Sequence, residues 1–127
     1  MHAKKIYVRD LRDADSKIDL QMELVAGKEG LGKEITVGDI NRPGLGLAGF
    51  FDFFAYDRIQ IFGLGETAFM RRLTAGQKEE VFEKFFSFDV LCCVFTHNEH
   101  PDEMFVEFAN RYRVPTFVTR HRTTRFI

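Results

Sequence analysis

Three short stretches hold residues whose types and spacing could do chemistry. The first is "VAGKEGLGKEIT", Val25 to Thr36, where Gly27, four residues, Gly32 and Lys33 follow the phosphate-binding pattern G-x-x-x-x-G-K-[ST] up to its last position. Glu34 stands where that pattern needs a hydroxyl. A working phosphate loop needs a preceding strand, a following helix whose first N–H groups face the phosphates, and a Ser or Thr for Mg²⁺. Here Glu34 would set a carboxylate against the phosphates, and the β-branched "ITV" is a poor helix start. With both the hydroxyl and the helix missing, the stretch reads as a glycine-rich turn between two strands.

The second stretch is "THNEHP", with His97 and His100 flanking Glu99. H-x-x-H could supply two metal ligands, but a competent site needs three or four that converge, and no partner pair is evident. It reads as a capping loop between a buried strand and a helix. That places it at the carboxyl end of a strand, where α/β sheets hold their ligands. Gly63, Glu66, Thr119 and Arg120 fall at the same end and, with His97, outline a candidate crevice for a small ligand.

The third is "DINRPGLGLAGFFDFF". Asn41, Arg42, Pro43 and Gly44 combine a turn former, a charge, a fixed φ and a flexible residue. Either Arg42 is tied to backbone carbonyls in a strand-to-helix turn, or the loop presents it to a partner or an anion, with Asn41 and Gly44 as further contacts. An exposed set of Phe50, Phe51, Phe53 and Phe54 would favour a docking surface; a buried set would not. No G-x-S-x-G, C-x-x-C, EF-hand or Cys/His catalytic spacing is present, so no catalytic constellation stands out.

The elements that must position these residues follow from periodicity. "KIYV" reads as a short strand or the lead-in to a brief helix near Leu11. "LQMELVAG" and "EITVGDI" alternate apolar and polar residues, which predicts two strands joined as a hairpin across the glycines. Leu45, Leu47, Ala48, Phe51 and Phe54 can share one helical face. "RIQIFG" is a strand and "GETAFMRRL" a helix. Thr74 caps a second helix carrying Val81, Phe82, Phe85 and Phe86. "VLCCVFT" is a continuous apolar run, the mark of a strand buried on both faces, with Cys92 and Cys93 pointing to opposite sides. "HPDEMFVEFANRYRV" is a helix with Pro101 in its first turn, and "PTFVT" is the last strand. Strand, helix, strand, helix, strand from Arg58 to Thr119 predicts an α/β domain with a largely parallel sheet flanked by helices.

The 127 residues suffice for one domain, spanning 1–127, and 45% apolar with 29% charged residues is globular composition. Fifteen Phe and no Trp point to rings used for packing. A net charge of −1 creates no global field toward nucleic acid or membrane. Five Arg and His121 lie between Arg111 and Arg125 with no acid among them. This reads as a solvated edge beside a domain junction rather than a nucleic-acid patch. Two adjacent cysteines cannot make a disulfide framework and fit a reducing cytoplasm. "MHAKKIYVRD" holds no long apolar core, so no signal peptide is expected, and no apolar run reaches membrane-spanning length.

"AGKEGLGKEIT", "DINRPGLGLAGFFDFF", "RIQIFGLGE" and the terminal "TTRFI" together resemble the amino-terminal domain of HPr kinase/phosphorylase, the bacterial enzyme that phosphorylates and dephosphorylates a serine of the phosphocarrier HPr. The resemblance runs from about Leu20 to Ile127. It implies a fold similar to the uridine-nucleotide-binding domain of Mur ligases. It further implies a cytoplasmic, non-catalytic regulatory or scaffolding domain in the control of carbon catabolite repression and sugar phosphotransferase uptake. In that family the phosphate loop, the ATP and Mg²⁺ sites and the catalytic carboxylate belong to a carboxy-terminal domain beginning after "TTRFI". No cofactor or catalytic residue is therefore expected in this chain, which alone is predicted inactive. The implied partners are the carboxy-terminal kinase domain and, through the full-length enzyme, HPr, with a small-molecule effector as a further candidate. Arg122 and Arg125 would then face the kinase domain as interdomain contacts. The alternatives kept open are a sensor of a sugar phosphate or nucleotide and a protein-interaction module.

Overall fold

The apolar run around Cys92 and Cys93 lies at the centre of a five-stranded sheet in the computed structural model, which describes residues 5–11 and 21–122. In chain order the elements are β1 (Ile6–Tyr7), β2 (Glu23–Ala26), β3 (Glu34–Ile35), β4 (Ile40–Asn41), α1 (Gly44–Leu47), β5 (Ile59–Phe62), α2 (Leu64–Arg71), α3 (Ala75–Phe86), β6 (Cys92–Phe95), α4 (Glu103–Arg111) and β7 (Thr116–Val118). The large sheet has the order β2-β7-β6-β5-β4. Strands β4 to β7 are parallel and β2 runs antiparallel along β7. Successive parallel strands step in one direction, so right-handed crossovers put all four helices on one face. The α/β class and the largely parallel sheet expected from the sequence are what the chain adopts.

Two hydrophobic layers result. The helix face packs Leu47, Met70, Phe82, Phe85, Phe86, Phe105 and Phe108 against Phe62, Cys93, Phe95 and Val118. The other face packs Val8 and the partly buried Leu31 and Ile35 against Ile61, Cys92, Val94 and Phe117. Cys92 and Cys93 thus serve opposite layers, each fully buried, as strand alternation dictates. Burial pushes the Cys92 thiol up to about 12, and Cys93 well above its usual value for the same reason. Phe rings dominate the helix-side layer, with Phe62 and Phe95 stacked at 4.5 Å and Phe105 edge-on to both. Because Phe carries no polar group, this layer needs no buried hydrogen-bond partners.

Three local expectations give way. The hairpin does not form: β3 pairs with β1, and β2 pairs with β7. The turn after β2 is 3₁₀ at Lys28–Gly30 and lies on the backbone of residues 113–115, so the chain is carried across the sheet edge instead of back along β2. The helix expected over Leu45 to Phe54 ends after one turn, because Gly49 takes φ 100 and Phe50 N–H closes on Leu45 O at 2.9 Å, a left-handed stop. Phe51 and Phe54 still reach the core, from a loop. Pro101 stands just before α4 rather than inside it. Asp102 is the cap, its carboxylate accepting Phe105 N–H at 2.9 Å. The Thr74 cap of α3 holds, reciprocated by Gln77 at 2.9 Å and 3.2 Å.

Candidate functional site

The glycine-rich turn decides what the first stretch can do. Gly27 sits at φ 73, and a Cβ there would lie 1.9 Å from Val114 O. A Cβ on Gly30 would lie 2.0 Å from Arg113 O. These glycines are therefore required by close approach of two backbones, not by a phosphate. Gly27 N–H, which a phosphate loop would turn toward its ligand, donates to Asn110 Oδ1 at 2.8 Å. Lys33 is also committed: its ammonium donates to Val90 O at 2.8 Å and lies 3.5 Å from Asp89. A strand, Glu34–Ile35, follows where a helix would be needed.

The loop after β4 builds a different arrangement. Arg42 meets Glu66 in a two-pronged pair, Nε to Oε2 at 2.8 Å and Nη2 to Oε1 at 2.6 Å. Neither sequence alternative named that partner: Arg42 is tied, but to a carboxylate rather than to backbone carbonyls. Glu66 is 8% exposed and its Oε1 also accepts Gly63 N–H at 2.9 Å, capping α2. The carboxylate raises the Arg42 pKa further above its usual value. Thus Arg42, Gly63 and Glu66 come together and bind the loop to the start of α2. Asn41 joins a neighbouring network, donating to Gln60 Oε1 at 2.7 Å. Gln60, fully buried, passes its own amide protons to Ala55 O and Arg58 O at 2.7 and 3.0 Å. Sequence reading missed Gln60: the alternation of "RIQIF" sets it opposite Ile59 and Ile61, on the polar side, and it is buried only because both faces of the sheet are covered. Gly44 opens α1, and a Cβ there would meet nothing within 4 Å.

His97 and Thr119 form a second group at the ends of β6 and β7. His97 N–H donates to His121 O and Asn98 N–H to Thr119 O, both at 2.8 Å, with His97 and Asn98 in left-handed conformations. His97 Nδ1 lies 2.9 Å from Thr96 Oγ1. Thr119 is 1% exposed, and its hydroxyl accepts His121 N–H at 3.2 Å. The Thr96-to-Glu99 loop is thus stitched to the outgoing chain. Glu99 pairs with Arg71, and His100 lines a hollow of about 50 Å³ shared with Thr67, Arg71 and Asp102. A ligand pocket usually offers several hundred Å³. Arg120 and Arg122 are exposed beyond β7, and Arg125 lies outside the described residues. Among the described residues, no group of three or more His, Cys, Asp or Glu could hold a metal ion, and no helix is long and apolar enough to cross a membrane.

The Phe segment divides between core and solvent. Phe51 stacks on Phe88 at 5.5 Å and Phe54 contacts Phe85 at 5.3 Å. Phe50 is 51% exposed, Leu45 70% and Phe53 100%. The two alternatives read from sequence, exposed or buried, each describe half of the segment.

Comparison with known proteins gives these features a context. A family model described as "HPr Serine kinase N terminus" matches residues 6–127. The HPr kinase/phosphorylase of Leptospira biflexa is 49% identical over 117 residues, covering 92% of this chain and 35% of the relative. That of Treponema pallidum is 46% identical over 111 residues, covering 87% and 34%. The chain therefore spans about a third of the length of these curated relatives. Among solved structures, the CBS and DRTGG domains of the regulatory region of a Clostridium perfringens pyrophosphatase, complexed with its activator diadenosine tetraphosphate, align at TM-score 0.56 with 15% identity. That alignment covers 94% of this chain and 44% of the other, and it speaks to the fold alone.

Proposed function

For a chain that belongs to the HPr serine kinase amino-terminal family, we propose the role of a regulatory or scaffolding domain that transfers no phosphate itself. Residues 1–127 are this domain. The parent polypeptide is a cytoplasmic HPr serine kinase/phosphorylase that acts in carbon catabolite repression and in control of sugar phosphotransferase uptake. ATP and Mg²⁺ are handled by its carboxy-terminal domain, through which HPr becomes a partner.

One observation carries the non-catalytic reading. The only phosphate-loop-like motif in the sequence has its lysine bonded to Val90 O at 2.8 Å and its first glycine N–H bonded to Asn110. Freeing them for a nucleotide would break the packing of the turn against residues 113–115. The test is to incubate this chain with HPr, ATP and Mg²⁺ and follow phosphoserine. No transfer is expected, while the full-length parent carrying Lys33→Ala keeps its transfer rate. ATP-dependent phosphorylation by the chain alone, abolished by Lys33→Ala, would sink the reading.

A second role, as a protein-interaction module, draws on one further observation: Phe53 projects entirely into solvent from a segment whose neighbours Phe51 and Phe54 are packed.

A further inference from the structure

Leu45, Phe50 and Phe53 lie around one hollow of about 80 Å³ that they share with Arg42 and Asp52. Phe50 is folded back beside Leu45 by its N–H bond to Leu45 O, 2.9 Å. Phe53 holds φ 63, a left-handed conformation that bulky aromatic residues rarely adopt. The segment thus sends Phe51 and Phe54 inward and holds Phe50 and Phe53 outward on a short, hydrogen-bonded frame.

The size of this surface selects its occupant. At exposures of 70%, 51% and 100%, the three side chains offer on the order of 400 Å² of apolar area. A free partner forming a stable complex covers about 800 Å² per side. A covalently tethered partner works at an effective concentration of about millimolar and needs less. A tether point is close by. Strands β4 and β7 are parallel members of one sheet with β5 and β6 between them. Through the strand register Asn41, the last residue of β4, is level with Thr116 of β7, three strand spacings or about 14 Å away, and the described chain leaves a few residues beyond, through Arg120 to Arg122, at the same end of the sheet. In the relatives, this region is only 34–35% of the polypeptide.

We propose that the Leu45–Phe50–Phe53 surface is an intramolecular docking site for the carboxy-terminal part of the same polypeptide. This rests on reading the chain as the amino-terminal third of a longer protein. It turns that third from an appended domain into one that is held in a fixed place by a small apolar contact beside a basic exit segment.

Amide hydrogen exchange over residues 44–56, compared between the full-length parent and this chain alone, tests it. The chain alone is a fair reference because it carries its own two-sided core. Exchange at Phe50 to Phe54 should be at least about tenfold slower in the full-length protein. Phe53→Ser should erase that difference in the full-length protein while leaving the melting temperature of the chain alone unchanged. Equal exchange in both proteins would overturn the docking and leave the family reading intact. Protection that grows with concentration in the chain alone would also overturn it, in favour of a second copy. A native polypeptide whose intact mass ends at Ile127 would remove both readings together.

Discussion

Glu66 gives both carboxylate oxygens to Arg42, at 2.6 and 2.8 Å, and with one of them also caps Gly63 N–H at 2.9 Å. One side chain thereby fixes the loop after β4 and starts α2. Glu66 is 8% exposed, so removing Arg42 leaves a nearly buried charge without its partner, which is costly. Arg42 is 43% exposed, so solvent screens part of that cost. Arg42→Ala should therefore lose about 2 kcal/mol of stability, between the values for surface and buried pairs. Arg42→Lys should recover less than half of it, because an ammonium cannot make the two-pronged contact. Denaturant unfolding of the three proteins decides; full rescue by lysine would show that charge alone matters.

The glycine-rich turn offers a test that separates structure from nucleotide binding. A phosphate loop depends on its first and last glycines, Gly27 and Gly32. The packing depends on Gly27 and Gly30, whose added Cβ atoms would meet backbone at 1.9 and 2.0 Å, whereas that of Gly32 meets only Arg9 at 4.0 Å. Gly30→Ala should therefore cost about 3 kcal/mol or more, and Gly32→Ala less than about 0.5 kcal/mol. Thermal melts that rank them in the opposite order would refute the packing account.

Alkaline pH should destabilise the chain through its two buried thiols. The folded-state pKa of Cys92, about 12, lies above the ordinary 9.0, so the folded state retains a proton that the unfolded state releases. The contribution is whole below about pH 9 and declines between there and about pH 12, by up to about 1.4 kcal/mol per pH unit for each buried thiol. Cys93 is raised by burial in the same direction and steepens the decline. Unfolding midpoints measured from pH 8 to 11 should fall, and fall less in Cys92→Ala at matched starting stability. An unchanged slope would mean that other groups dominate.

Phe53→Gly should stabilise the chain alone. The ring makes no packing contact at 100% exposure, and φ 63 suits glycine. Relief of the left-handed strain is about 1 kcal/mol, partly offset by the greater unfolded freedom of glycine, leaving a few tenths to about 1 kcal/mol. The docking proposed for this surface predicts that in the full-length protein the same change removes the gain. Calorimetry on both forms distinguishes the two contexts.

Much of the architecture was legible because it depends on local periodicity. The apolar run Val90 to Thr96 carries the mark of a strand covered on both faces, and Thr74 ahead of an apolar-periodic segment marks a helix start; both formed as read. The failures share a different cause. The hairpin was lost because β2 found β7, a strand some ninety residues later, and turn residues cannot announce a distant neighbour. The helix through Phe54 was lost at Gly49, where one left-handed residue outweighed a favourable apolar spacing. At the site, the motif at Arg42 was visible but its partner was not, since Glu66 lies 24 residues away in another element.

What the sequence determined by itself was the alternation of strands and helices, the sidedness of each, and the failure of the phosphate-loop pattern at Glu34. These follow from residue types at fixed local spacing. The tertiary structure decided which strand pairs with which, that Gly27 and Gly30 serve backbone contact, that Arg42 answers Glu66, and that Phe53 alone of its neighbours is left fully in water. Each of these depends on distances between groups far apart in the chain, and the fold is what sets those distances.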